Sequence, residues 1–184
     1  MKKRQLGISI ILLASAALVL IVTILAREAS TTEMYHFTTR WFFHAPIERV
    51  WEDVVATEEW KQAAARENRM VGVGTVIENE VKGDLPYTLR FTTEVTRYEP
   101  PFVAEATSSG DLVGTGKWIL ESRDGGTAVT FYWDVGMSNP FFNLISKIPA
   151  VKDAMSENHD GVMEEQYRLT RAKLEGAPEL SEKQ

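Results

Sequence analysis

The sequence contains no cysteine, which removes disulfides, thiolate metal centres and cysteine nucleophiles together. Histidine is nearly as scarce. His36, His44 and His159 are the whole complement, and their scattered spacing matches no metal-ligand pattern, so no metal and no other cofactor is expected. No G-x-S-x-G string is present to form a nucleophile elbow. The glycine pairs Gly72/Gly74 and Gly114/Gly116 stand at strand starts, not between a strand and a helix, and do not make a dinucleotide loop. Internal repeats and low-complexity runs are missing as well. The last absence is of charge, which vanishes entirely over residues 6–26.

That run follows Lys2, Lys3 and Arg4. About 20 apolar residues at about 1.5 Å rise each match the hydrocarbon thickness of a bilayer. Residues 1–26 are therefore expected to form a basic flank and a transmembrane helix. The positive-inside rule places the N-terminus in the cytoplasm and the rest of the chain outside, a single-pass membrane protein. Ala14-Ser15-Ala16 resembles a signal-peptidase site, but the apolar run continues well past it, which favours an uncleaved anchor. Residues 27–34 read as a polar linker and residues 176–184 as a disordered tail.

Between them, residues 35–175 are enough for one domain with one core. From Glu28 onward the chain carries 16 basic and 26 acidic residues, a net charge of −10. Such a surface repels phosphate backbones, so no nucleic-acid partner is expected.

Aromatic and β-branched residues over 35–44 predict a first strand. Ala45-Pro46 ends it, and Ile47, Val50, Trp51 and Val54 recur at helical spacing. A second short helix is expected over 58–67 behind Thr57 as N-cap. Five strands follow, over 73–81, 87–98, 102–109, 112–122 and 128–137, separated by short turns that impose an antiparallel meander. Asn139-Pro140 opens a closing segment with an apolar first part. A long helix over 151–174 follows, with Val151, Met155, Val162 and Leu169 on one stripe and Met163 and Tyr167 beside it.

The order of elements and several strings, HAPIERVWEDV (44–54), GVGT (72–75), LPYTLRF (85–91), SGDLVGTGKW (109–118) and NHDGVM (158–163), resemble the SRPBCC superfamily. This is the START-like, helix-grip group, and the resemblance is to its polyketide cyclase/dehydrase-type branch. It implies an α+β helix-grip fold: a curved antiparallel sheet of about six strands wrapped around a long C-terminal helix, with two short helices after the first strand. It also implies a largely apolar cavity between sheet and last helix, and hence a hydrophobic small molecule or lipid as partner.

His159 and Asn158 are expected on the inward face of the long helix, between Met155 and Val162/Met163. A polar pair there needs partners, because an unpaired buried polar group costs about 1–3 kcal/mol. The partner is either a strand group, making His159 structural, or a ligand. Trp41, Phe43, Trp118, Phe131, Trp133 and Tyr167 suit an apolar ligand wall or a packed core equally well. Trp60 on the second short helix either gates the mouth or caps the core. The expected ligand-binding set is thus Trp41, Phe43, Trp118, Trp133, Met155, Asn158, His159, Val162, Met163 and Tyr167. Arg90, Glu105 and Asp134 alternate with apolar neighbours and are expected to face solvent. The expected function is membrane-anchored binding of a hydrophobic molecule. A cyclase or dehydratase with His159 as general acid/base, and a protein-interaction domain with a closed cavity, are the alternatives.

Overall fold

The computed structural model describes residues 18–24, 27, 32–82 and 88–176. Strand β1 (Met34–Phe43) is followed by helices α1 (Ile47–Val54) and α2 (Glu58–Arg66). Strands β2 (Val76–Lys82), β3 (Thr88–Glu99), β4 (Val103–Gly110), β5 (Leu112–Arg123) and β6 (Gly126–Met137) come next. Helices α3 (Pro140–Ser146) and α4 (Pro149–Glu175) close the chain. All six strands form one antiparallel sheet in the order β1-β6-β5-β4-β3-β2. Strands β2 to β6 make a meander, and β1 returns to pair with the last of them, Met34 opposite Gly136 and Phe43 opposite Thr127.

Period-2 alternation sets which face is covered. Along β1, Tyr35, Trp41 and Phe43 are buried while His36, Thr38 and Arg40 are exposed. The four apolar residues of α1 fall at i, i+3, i+4 and i+7 and all are buried, with Phe43, Leu120 and Val129 in the same cluster. Pro46 sits at the N-cap of α1, and its carbonyl accepts from the Arg49 and Val50 amides at 3.0 and 3.1 Å. Thr57 occupies the N-cap of α2 without making the cap bond; its hydroxyl is buried and has no partner. Asn139 does cap α3, accepting from the Phe141 and Phe142 amides at 3.0 and 3.4 Å. Buried Asn143 accepts from the Glu33 amide at 2.7 Å and thereby fixes the approach to β1. Gly176 ends α4 in the left-handed conformation (φ 65°), where a side chain would be strained.

Helix α4 turns a different stripe inward from the one its apolar residues predict. Met155, His159, Met163, Tyr167, Thr170 and Leu174 are buried or half-buried, at steps of three and four. Val162 and Leu169 are 59% and 51% exposed, and Asn158 is exposed too. What sets the phase is the partner surface. Tyr167 packs against Trp41 and Phe43 and donates from its hydroxyl to the Phe42 carbonyl at 3.0 Å. His159 stacks on Phe37.

The expected membrane span and single-pass localisation are corrected. Among the described residues no helix is long and apolar enough to cross a membrane. Only residues 18–24 and 27 of this region are described, as helix. The rest of 1–26, residues 28–31 of the linker and residues 177–184 of the tail lie outside the described residues.

Candidate ligand-binding cavity

The middle of the covered sheet face is built from residues too small to fill it. Strand β4 presents Ala104, Ala106 and Ser108, and β5 presents Gly116 directly opposite Ala106. A Cβ on Gly116 would lie 3.3 Å from the Phe131 ring and 3.9 Å from Trp133. Gly114, one step along the same face, comes so close to the Asp134 carbonyl that any Cβ would collide with it at 1.9 Å. Gly114 does not border the space itself; the short side chains of Ala104, Ala106 and Ser108 and the bare Gly116 leave a cavity of about 150 Å³. Trp118, Phe131 and Trp133 wall one side of it, with Phe91, Val95 and Tyr98 from β3 on another. Val55 after α1, Trp60 on α2 and Val71 in the following loop form the roof. Trp118 and Phe131 are stacked with centroids 4.0 Å apart and planes at 14°.

The lining is neutral. Glu105 borders the cavity through its position on β4, but its neighbours Ala104 and Ala106 take the covered face. Its carboxylate meets Lys117 at 2.9 Å and Arg97 at 3.3 Å. The hydrogen bond from Lys117, with help from Arg97, holds that carboxyl below the usual carboxylate range. Arg90 pairs with Glu80 at 3.2 Å and Asp134 with His36 at 2.6 Å, all on exposed or half-exposed side chains. Polar groups that do reach the cavity are hydroxyls. Thr93 accepts from the Asn79 amide at 3.0 Å and lies 3.3 Å from the Ser108 hydroxyl. The Tyr98 hydroxyl accepts from the Trp51 indole at 3.4 Å.

The predicted site residues separate into three groups. Trp118 and Trp133 line the cavity, as do Phe131 and Trp60. Trp41, Phe43, Met163 and Tyr167 pack into the core beside α1, and Met155 packs against Tyr35, Leu112, Val135 and Met137. Asn158 and Val162 face outward. The cavity therefore lies beside α4 rather than beneath it, and no α4 residue borders it.

His159 stands behind the aromatic wall. Its ring stacks on Phe37 (4.0 Å, 14°) and lies 5.7 Å from Trp133. Nδ1 is 3.0 Å from the exposed Asp160 carboxylate, and Nε2 is buried with no hydrogen-bond partner. The imidazole thus contacts two aromatic rings and the carboxylate of its own neighbour Asp160.

Sequence reading passed over Thr93, Val95, Ala104, Ala106, Ser108 and Gly116. For Ala104, Ala106, Ser108 and Gly116 the sign is a run of small residues at alternate positions of β4 and β5; Thr93 and Val95 on β3 carry none beyond strand alternation.

Among the described residues no cluster of His, Asp and Glu fits a metal ion. No protein-family model and no curated protein matches the chain. Solved structures do. Ara h 8.0201 is 14% identical, with 75% of this chain and 98% of that one covered and a TM-score of 0.50. The Aha1 protein of Colwellia psychrerythraea, solved as a dimer in solution, is 16% identical (78% and 99% covered, TM-score 0.50). The di-domain ARO/CYC protein BexL of the BE-7585A biosynthetic pathway is 14% identical (79% and 51% covered, TM-score 0.52), so this chain spans about half its length. These likenesses are of fold alone: a six-stranded antiparallel sheet with a long C-terminal helix, the helix-grip arrangement.

Proposed function

We propose that this protein binds a small, uncharged, predominantly apolar molecule in the cavity over β3–β6. The observation that carries the reading is a void in the middle of the sheet, kept open by Ala104, Ala106 and Gly116 and faced by Trp118, Phe131 and Trp133. Interiors pack to crystal-like density, so an unfilled apolar space of this size forfeits contacts that a guest restores. Burial of apolar guest surface yields about 25 cal/mol per Å². A dry apolar cavity of about 150 Å³ is large enough for benzene. The sequence's resemblance to the helix-grip group, which implies an apolar cavity and a hydrophobic ligand, agrees with the reading. Proton-transfer chemistry has less to support it, because His159 does not border the cavity and the Glu105 carboxylate is engaged elsewhere.

Titration of the full chain with toluene tests the reading. Trp60, Trp118 and Trp133 border the cavity, so saturable binding should change indole fluorescence. No saturable response up to the solubility of toluene would refute it.

A further inference from the structure

The hydroxyl end of the cavity has a direction. The Asn79 side chain donates from Nδ2 to the Ile77 carbonyl at 3.3 Å and to Thr93 Oγ1 at 3.0 Å. The carbonyl partner identifies that atom as the amide nitrogen, because a carbonyl oxygen accepts only. Thr93 Oγ1 therefore receives a proton from Asn79 and keeps its own to give. Ser108 Oγ, opposite it on β4, lies 3.3 Å away. Hydrogen bonds in a chain polarise one another, which favours all three pointing the same way. The proton of Ser108 is then left at the end of the chain, at the border of the cavity.

The geometry points to Ser108 as a specificity-determining donor for a ligand carbonyl, so that the guest is a neutral one-ring aromatic ketone, aldehyde or ester. This inference rests on the proposed binding function and adds the ligand's chemical class. The aromatic wall takes the ring, and Ser108, backed by Thr93 and Asn79, takes the carbonyl oxygen. The lining offers no cationic side chain to an anion, since Arg97 and Lys117 point to the opposite face of the sheet with Glu105. An unpaired charge in such a place is strongly disfavoured.

Acetophenone, cumene and benzoate have the same number of heavy atoms and differ in the group beside the ring: carbonyl, methyls and carboxylate. The full chain should bind acetophenone roughly three- to tenfold more tightly than cumene, the scale of one net hydrogen bond, and benzoate more weakly than either. Ser108→Ala should bring the acetophenone-to-cumene ratio close to one while leaving cumene affinity unchanged, which also verifies that the cavity has kept its shape. If Ser108→Ala loses cumene as well, Ser108→Cys, which keeps the side chain's shape and replaces the hydroxyl by a weak thiol donor, decides by the same ratio. Equal affinities in the unmodified chain, a ratio that survives these substitutions because the carbonyl turns to Tyr98 instead, or preferred binding of benzoate would each overturn the inference. Failure of the binding reading itself looks different: neither cumene nor acetophenone saturates.

Discussion

Ala106→Leu puts the cavity to its most direct test. Ala106 faces Gly116 across the β4–β5 pair and Val95 across the β3–β4 pair, so a longer side chain there projects into the void. Leucine adds three carbons to alanine. At about 0.8 kcal/mol per buried methylene, filling existing space stabilises the fold by about 2 kcal/mol. For a domain of this size that corresponds to a rise of roughly 4–8 °C in Tm. In a packed core the same change costs about 1–3 kcal/mol through displaced rotamers and backbone. The two cases thus differ in sign. Differential scanning calorimetry of the full chain gives the sign, and toluene titration of the same samples gives the second readout. Higher stability with loss of toluene binding is the expected result. A lower Tm would refute the void, and a higher Tm with unchanged toluene affinity would place the guest elsewhere.

Three further outcomes follow from geometry already described. His159→Phe keeps the stack on Phe37 and removes a buried Nε2 without a partner, so thermal denaturation should show a gain of about 1 kcal/mol with unchanged toluene affinity; destabilisation or weaker binding would give the imidazole a role these contacts do not show. Asn139→Ala removes both cap bonds of α3 and should cost about 1 kcal/mol in denaturant melts, with no cost if water replaces the cap equally well. Glu33 accepts from Lys152, and that bond holds its carboxyl below the ordinary value. A depressed carboxylate contributes stability that is present above its unfolded pKa and lost as pH falls through the folded one. The stability difference between the unmodified chain and Glu33→Gln should therefore be largest near neutrality and close up in acid; a difference independent of pH would break the linkage.

The elements were legible where one residue type dominates one face. Ile47, Val50, Trp51 and Val54 announce α1 because nothing else on that helix is apolar, and the strands announce themselves through alternation between short turns. The phase of α4 was not legible. Its apolar residues are spread around the helix, and Met155, Met163 and Tyr167 point inward because Tyr35, Phe37, Trp41 and Phe43 stand opposite. That surface exists only after β1 has paired with β6. The cavity was hidden for a different reason. It is made by volume that is missing at Ala104, Ala106 and Gly116, and small residues at alternate strand positions do not say whether the space above them is filled from elsewhere in the fold. Only the cross-strand register places them together and sets the Trp118, Phe131 and Trp133 rings beside them.

The pairing of β1 with β6 also dictates what happens while the chain is being made. Roughly 80 residues separate the end of β1 from the start of β6. At about 5–20 residues per second, a ribosome needs roughly 4–16 s to supply the partner. Throughout that interval β1 is a ten-residue segment rich in aromatic side chains, MYHFTTRWFF, with both backbone edges unmatched. Every other strand meets a neighbour one turn after it emerges. The nascent chain is thus exposed to intermolecular strand pairing at its first strand, and Arg40, in the middle of that segment, is the one charge set against it.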